Sequence, residues 1–257
     1  MTMQPTRREL MAGLAAAAPL AAVLADPGLA RAAAAALEEV SLITAGGRPV
    51  KAALALPAAQ PAPSLLLIHE WWGLNDQIKA VAAECAKQGY GALAVDLYGG
   101  RSTASPEEAQ ALMQALDPAA ATDTLVSWAQ WLRARPNGTA AVAVMGWCLG
   151  GGWALNASIA TPMDATVIYY GRVEQPAERL ARLKGPVLGH FATRDVTINR
   201  PMVEGFEREM KAAGKALTVY WYDADHAFAN PSGGRYDEAD AALAWERTLA
   251  FLRANLS

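Results

Sequence analysis

The sequence predicts an α/β fold, a mostly parallel β-sheet flanked by helices and opened by an N-terminal β-hairpin. Three observations carry that prediction. Short apolar, β-branched runs alternate with longer helical patterns along most of the chain, the sequence form of repeated strand-helix-strand units. The run Ala140 to Met145 ends in Gly146-Trp147-Cys148-Leu149-Gly150, which reads as a strand turning sharply into a helix with Cys148 exposed above the sheet end. The chain also has 257 residues, of which 53% are hydrophobic. That is enough for one large core, and no repeat, charge run or low-complexity linker divides it.

Residues 1–32 are set apart from this fold. Arg7-Arg8 precedes an uncharged, alanine-rich stretch from Ala12 to Ala25, and Ala30-Arg31-Ala32 offers a small-x-small cleavage site. A paired arginine ahead of a mildly apolar segment is the pattern of a twin-arginine export signal. A membrane anchor fits less well, because the apolar segment is short and is interrupted by Asp26, Pro27 and Gly28. Residues 33–257 are then read as one domain, periplasmic or secreted, with no stable membrane anchor after processing.

The domain opens with strands over 40–44 and 50–56 around Gly46-Gly47, a hairpin at the sheet edge. Further strands are expected over 64–68, 91–95, 139–145, 165–170, 186–191 and 217–222. Between them lie helical patterns over 76–88, 106–133, 150–159, 201–213 and 237–254, the second broken near Asp117-Pro118, where proline cannot continue a helix.

The chemistry is placed at strand ends. A cysteine nucleophile needs a base and a group that orients the base. Asp195 follows the strand over 186–191, and His226 follows the strand over 217–222. Thiol, carboxylate and imidazole thus come in the order nucleophile, acid, histidine, on loops that an open parallel sheet gathers along one edge. Each alone has a plainer reading, as a packing cysteine, a turn aspartate or a satisfied polar histidine. Cys85, inside the helix over 76–88, is read as a packing cysteine, and its place on a helix argues against a disulfide to Cys148. Two cysteines without ligand spacing leave no zinc site, and neither a metal nor an organic cofactor is expected.

The loop His69-Glu70-Trp71-Trp72-Gly73-Leu74-Asn75 follows the first long strand and should face Cys148. Its Trp71 N–H and the N–H of Leu149 would together form an oxyanion hole. A carboxylate such as Glu70 beside a strand end is costly unless it has a role or pairs with a surface Lys or Arg. The two tryptophans read equally well as core or as substrate contacts. The formal charge of −3, with no basic patch interleaved with aromatics, argues against a nucleic-acid partner.

Several of these pieces together resemble the dienelactone hydrolases, cysteine members of the α/β-hydrolase fold. The pieces are Glu70 with Gly73 and Asn75, Asp96-Leu97-Tyr98, Gly146-Trp147-Cys148-Leu149-Gly150-Gly151, Tyr169-Tyr170-Gly171, Asp195, and His226-Ala227-Phe228 before a long last helix. The resemblance implies Cys148 as nucleophile, His226 as base and Asp195 as its orienting acid. It also implies a resting thiol kept neutral and hydrogen-bonded to Glu70. Arginines that follow Asp-Leu-Tyr and His-x-Phe in family members opening dienelactone hold the substrate carboxylate. Here Arg101 follows the first motif, displaced by one residue, and the neutral Asn230 follows the second. Contacts to substrate are expected from Trp72, Tyr98, Arg101, Trp147 and Phe228.

The reading is therefore a monomeric hydrolase that acts on a small-molecule ester or lactone through a thioester acyl-enzyme. An acyltransferase with the same groups, and an exported binding or partner protein that kept the fold without catalysis, stand as alternatives.

Overall fold

In the computed structural model, which describes residues 26–256, the apolar runs assemble into one eight-stranded sheet. Its strands are β1 (Glu38–Ile43), β2 (Pro49–Ala55), β3 (Ala62–Ile68), β4 (Gly91–Val95), β5 (Gly138–Trp147), β6 (Ala165–Tyr169), β7 (Val187–Ala192) and β8 (Leu217–Tyr222). They lie in the order β1-β2-β4-β3-β5-β6-β7-β8. The β1–β2 hairpin pairs antiparallel onto β4, and the remaining pairs are parallel. β3 has β4 on one side and β5 on the other, so the winding of the sheet reverses there. The crevice at the carboxyl ends of β3 and β5 is where such sheets bind ligands.

Both faces of the sheet are covered. Helices α1 (Pro27–Ala35), α2 (Asp76–Lys87) and α8 (Glu238–Asn255) share one core with Leu65, Leu67 and Met145. Helix α4 (Pro118–Ala134), which follows α3 (Pro106–Ala115), shares a second with Leu66, Ile68 and Val144. Helix α5 (Leu149–Ala160) spans the second core and a third, built with α7 (Arg200–Ala212) around Phe191 and Phe206. Adjacent residues of β3 and β5 thus serve opposite faces, as the period of two in a strand requires. The break between α3 and α4 falls where Pro118 was expected to force it, with the Asp117 carboxylate accepting from the N–H groups of Ala119 and Ala120.

Two elements depart from the sequence reading. The four-residue helix α6 (Ala177–Leu180) is too short to leave a periodic signature. The helix α1 is the larger difference, because it lies across the boundary drawn at residue 32. Asp26 caps it through the N–H groups of Gly28 and Leu29, and Ala30 and Ala34 are buried. The folded domain therefore extends back to Asp26, and Ala30-Arg31-Ala32 sits inside α1. Arg7-Arg8 and the alanine-rich stretch lie outside the described residues. No helix among the described residues is long and apolar enough to cross a membrane.

Candidate active site

Between β5 and α5 the backbone turns at Cys148, which takes φ 53° and ψ −116°. A non-glycine residue in this region is strained, and the strain persists only because the surroundings fix it. The Cys148 N–H donates to the Tyr169 carbonyl at 3.0 Å, and its carbonyl accepts from Gly151 and Gly152 at 3.0 and 3.3 Å. The glycines are steric requirements. A Cβ at Gly146 would lie 2.0 Å from the Gly150 carbonyl oxygen, and one at Gly150 would lie 2.2 Å from that of Ile68.

The three predicted strand-end groups converge. His226 Nε2 lies 3.2 Å from Cys148 Sγ, and Nδ1 lies 2.5 Å from Asp195 Oδ2. The other oxygen of Asp195 accepts from the N–H groups of Thr197 and Ile198 at 2.8 and 2.9 Å. The carboxylate is buried, which raises its pKa, yet the hydrogen bond with His226 and these backbone donors hold it below the usual value. Burial alone would lower the pKa of His226, but hydrogen bonds to Asp195 and Cys148 outweigh it and push it up to about 10. The imidazole is thus set up to carry a proton taken from sulfur.

A linkage prediction follows from this shift. A group whose value rises on folding adds stability that is complete below its ordinary value, here 6.5, and lost as pH climbs through about 10. The Tm advantage of the wild type over His226→Gln should therefore shrink between about pH 6 and pH 10.5. A difference that widened over that interval would contradict the pairing.

Glu70 is buried in the same site, but its partners differ from the expectation. Its carboxylate accepts from Asn230 Nδ2 at 2.5 Å and from the Tyr170 hydroxyl at 3.2 Å. The thiol instead meets His226, so the resting state implied by the resemblance, with the thiol on Glu70, is not the one adopted. Asn230 and Tyr170 each hold one carboxylate oxygen, while His226 Nε2 takes the thiol. Asn230 is itself held by Ser232, whose N–H and hydroxyl donate to Asn230 Oδ1 at 3.0 and 2.6 Å. Burial raises the pKa of Glu70 against the opposing pull of Asn230, His226, Tyr170 and Arg235. Among the described residues, Glu70 forms no surface ion pair.

A cleft of about 670 Å³ opens over these groups, lined among others by Trp71, Trp72, Cys148, His226, Asn230, Arg194 and Arg235. That volume suits a small ligand. Among the described residues, neither the Trp71 N–H nor the Leu149 N–H donates a hydrogen bond within the protein. Of the expected substrate contacts, Trp72 lines the cleft. Tyr98 is buried against the His69 ring at 4.9 Å, and among the described residues its hydroxyl has no partner.

Trp147 and Phe228 belong to the core instead. Trp147 continues the face of β5 that holds Ala143 and Met145 and stacks on Tyr169 at 5.5 Å, while Phe228 packs between Tyr170 and Tyr222. Arg101 is exposed and is not among the residues that line the cleft, and its carbonyl packs against Gly73. The cleft's cations are Arg194, engaged by Asp223 and Asp225 at 2.8 and 3.6 Å, and Arg235 on the 232–236 loop. Sequence reasoning did not single out Arg194, Arg235 or Tyr170 as site residues. The available signal for Arg235 was its place on the glycine-containing stretch Ser232-Gly233-Gly234-Arg235-Tyr236, a few residues after His226.

Comparison with known proteins settles the family. The model of the dienelactone hydrolase family matches residues 50–256. The chain belongs to this family. Among its relatives, the carboxymethylenebutenolidase of Pseudomonas putida is 31% identical over 230 residues, spanning 84% of this chain and 95% of that protein. Carboxymethylenebutenolidase 1 of Cupriavidus pinatubonensis is 28% identical over 217 residues, spanning 80% and 92%. A dienelactone hydrolase-like promiscuous phosphotriesterase from metagenomic libraries superposes with a TM-score of 0.78 at 21% identity, covering 86% of this chain and 99% of that one. That last likeness concerns the fold alone. As a dienelactone hydrolase family member the protein is a lactone or ester hydrolase on an α/β-hydrolase sheet.

Proposed function

We propose that the protein cleaves small carboxylic esters or lactones with Cys148 as nucleophile, His226 as base and Asp195 as the group that orients and charges the imidazole. The observation that carries this reading is the Asp195–His226–Cys148 alignment, at 2.5 and 3.2 Å, at a cleft that Trp71 and Cys148 line, with the N–H groups of Trp71 and Leu149 unengaged. His226 takes the proton of the Cys148 thiol, the resulting thiolate attacks the carbonyl carbon, and the oxyanion settles between the N–H groups of Trp71 and Leu149. His226 returns the proton to the leaving oxygen. A water that His226 deprotonates then opens the thioester and frees Cys148.

Asn230 spends its side chain on Glu70, so any anionic part of the substrate falls to Arg235 rather than to position 230. Hydrolysis of a short-chain chromogenic ester and of an unsaturated lactone bearing a carboxylate, measured side by side, tests this reading. Turnover of neither would refute it.

Glu70 supports the imidazolium electrostatically and fixes the loop that carries Asn230. Glu70→Gln removes the charge and turns an amide N–H₂ toward a donor, the Asn230 amide or the Tyr170 hydroxyl. It should reduce kcat/KM by about 10-fold or more and cost about 1–2 kcal/mol of stability, as a mispaired buried polar group does. Unchanged kinetics and an unchanged urea midpoint would remove Glu70 from the site's machinery.

Export is the companion proposal, supported by Arg7-Arg8 and the alanine-rich stretch that follows. Because α1 is capped by Asp26 and buries Ala30, processing should leave α1 intact, with the mature chain starting no later than Asp26. Intact-mass analysis of periplasmic protein from a host with a twin-arginine pathway reads this directly. A chain starting at Ala33, or none in the periplasm, would contradict it.

A further inference from the structure

His69 is fully buried beneath the cleft, does not line it, and has no place in the chemistry above. Its two ring nitrogens have different partners. Nε2 lies 3.3 Å from the Leu97 N–H, and Nδ1 lies 2.5 Å from the Glu70 carbonyl oxygen. A backbone N–H is only a donor and a carbonyl only an acceptor. The ring must therefore be neutral, with Nε2 accepting and its single proton on Nδ1, donating to Glu70. Burial, which lowers the pKa of His69, agrees with a neutral ring.

We infer that His69 is a positioning residue that aims the oxyanion-hole donor. The Glu70 carbonyl and the Trp71 N–H belong to one peptide unit, which is planar and trans, so they point in opposite directions. Holding the carbonyl down by His69 Nδ1–H, with help from the Gly73 N–H at 3.3 Å, turns the Trp71 N–H up toward the cleft that Trp71 and Cys148 share.

The same ring ties the loop after β3 to the loop after β4. Leu97 is fixed through Nε2, and Tyr98 rests against the imidazole at 4.9 Å. Asp96 then holds the turn by accepting from the N–H groups of Tyr98 and Gly100. The Gly73–Ser102 bridge closes the other side of the loop pair. One neutral histidine thus fixes the plane of the peptide whose N–H meets the oxyanion.

This inference rests on the proposed attack by Cys148, with the Trp71 N–H as an oxyanion donor, and its test separates the two. The side chain of asparagine places its N–H₂ near the position of Nδ1, whereas that of glutamine reaches the position of Nε2. In the full-length enzyme, His69→Asn keeps a donor for the Glu70 carbonyl and His69→Gln keeps an acceptor for Leu97. Two rates are read for each variant. The first is acylation and turnover with a short-chain p-nitrophenyl ester, which needs the oxyanion hole. The second is alkylation of Cys148 by iodoacetamide, a displacement at saturated carbon that needs none.

His69→Gln should lower kcat by about 10- to 100-fold, somewhat less than deletion of a whole donor, with KM little changed and alkylation at the wild-type rate. His69→Asn should recover most of kcat. The reverse ranking of the two variants would overturn the inference, since it would assign the effect to Leu97. A parallel loss of acylation and alkylation in both would overturn it as well, since His69 would then be holding the whole site. Hydrolysis by a Cys148→Ala variant at the wild-type rate would bring down the underlying reading instead, and that measurement does not involve His69.

Discussion

Replacing Cys148 by alanine is expected to lower kcat for ester or lactone hydrolysis by about 10⁴-fold or more, the scale on which removal of a nucleophile silences a covalent mechanism. The expectation rests on position as much as on identity. The elbow holds Cys148 in strained backbone at φ 53°, and the Tyr169 carbonyl and the N-terminal turn of α5 fix it there. His226 reaches the sulfur at 3.2 Å, and the oxyanion donors have no competing acceptor. Removing the sulfur leaves the cleft, the imidazolium and the oxyanion hole in place, so substrate should still bind with a similar KM and any residual rate would report those elements alone. Steady-state kinetics of the two proteins, at matched concentration and after confirming equal Tm, make the comparison. A variant within about 10-fold of wild type would mean that another group attacks.

Gly150→Ala is expected to cost about 3 kcal/mol, which for a domain of this size is a fall in Tm of roughly 10 °C. The added Cβ would lie 2.2 Å from the Ile68 carbonyl oxygen and 2.5 Å from that of His69. Both obstacles are backbone, on the central strand β3, and neither can swing aside. Relief requires α5 to lift from β3, which moves the Leu149 N–H and reopens the geometry between Cys148 and His226. Stability and activity should therefore fall together. Thermal unfolding followed by circular dichroism, with iodoacetamide reactivity measured in parallel, tests both. Gly89→Ala is the control, because a Cβ there meets nothing within 4 Å and only its φ of 93° carries a cost. A Gly150→Ala protein as stable as that control would show the elbow to be looser than its contacts imply.

The strands and the principal helices were legible because each was long enough to show its period and was bounded by Pro, Gly or an Asx cap. Cys148, Asp195 and His226 were legible for a related reason, since a strand end is a place that sequence can locate and a parallel sheet brings such ends together. What was not legible was which way a side chain turns once it leaves the strand. Trp147 looked like a cleft residue from its place beside Cys148, yet it continues the Ala143, Met145 alternation into the core, a signal present in the sequence and overlooked. Phe228 is turned inward because Ala227 takes φ 67°, a backbone choice that alanine does not announce. The Asn230–Glu70 contact spans 160 residues of sequence, and no local pattern reveals it. With the Tyr170 hydroxyl, it gives Glu70 the partners that distinguish the observed resting site from the expected one. The helix α1 was hidden by its composition, because an alanine-rich stretch that follows a paired arginine reads as leader until Ala30 is seen packed on the domain.

The central claim is that the reaction passes through a thioester on Cys148. The most direct measurement is acid quenching of the wild-type protein during turnover of a short-chain ester, followed by peptide mass analysis. The account predicts the acyl mass on the peptide containing Cys148, removable by hydroxylamine and absent from Cys148→Ala and from the Cys85 peptide. An acyl group found on any other residue, or rapid turnover with none on Cys148 under conditions where deacylation limits the rate, would contradict it.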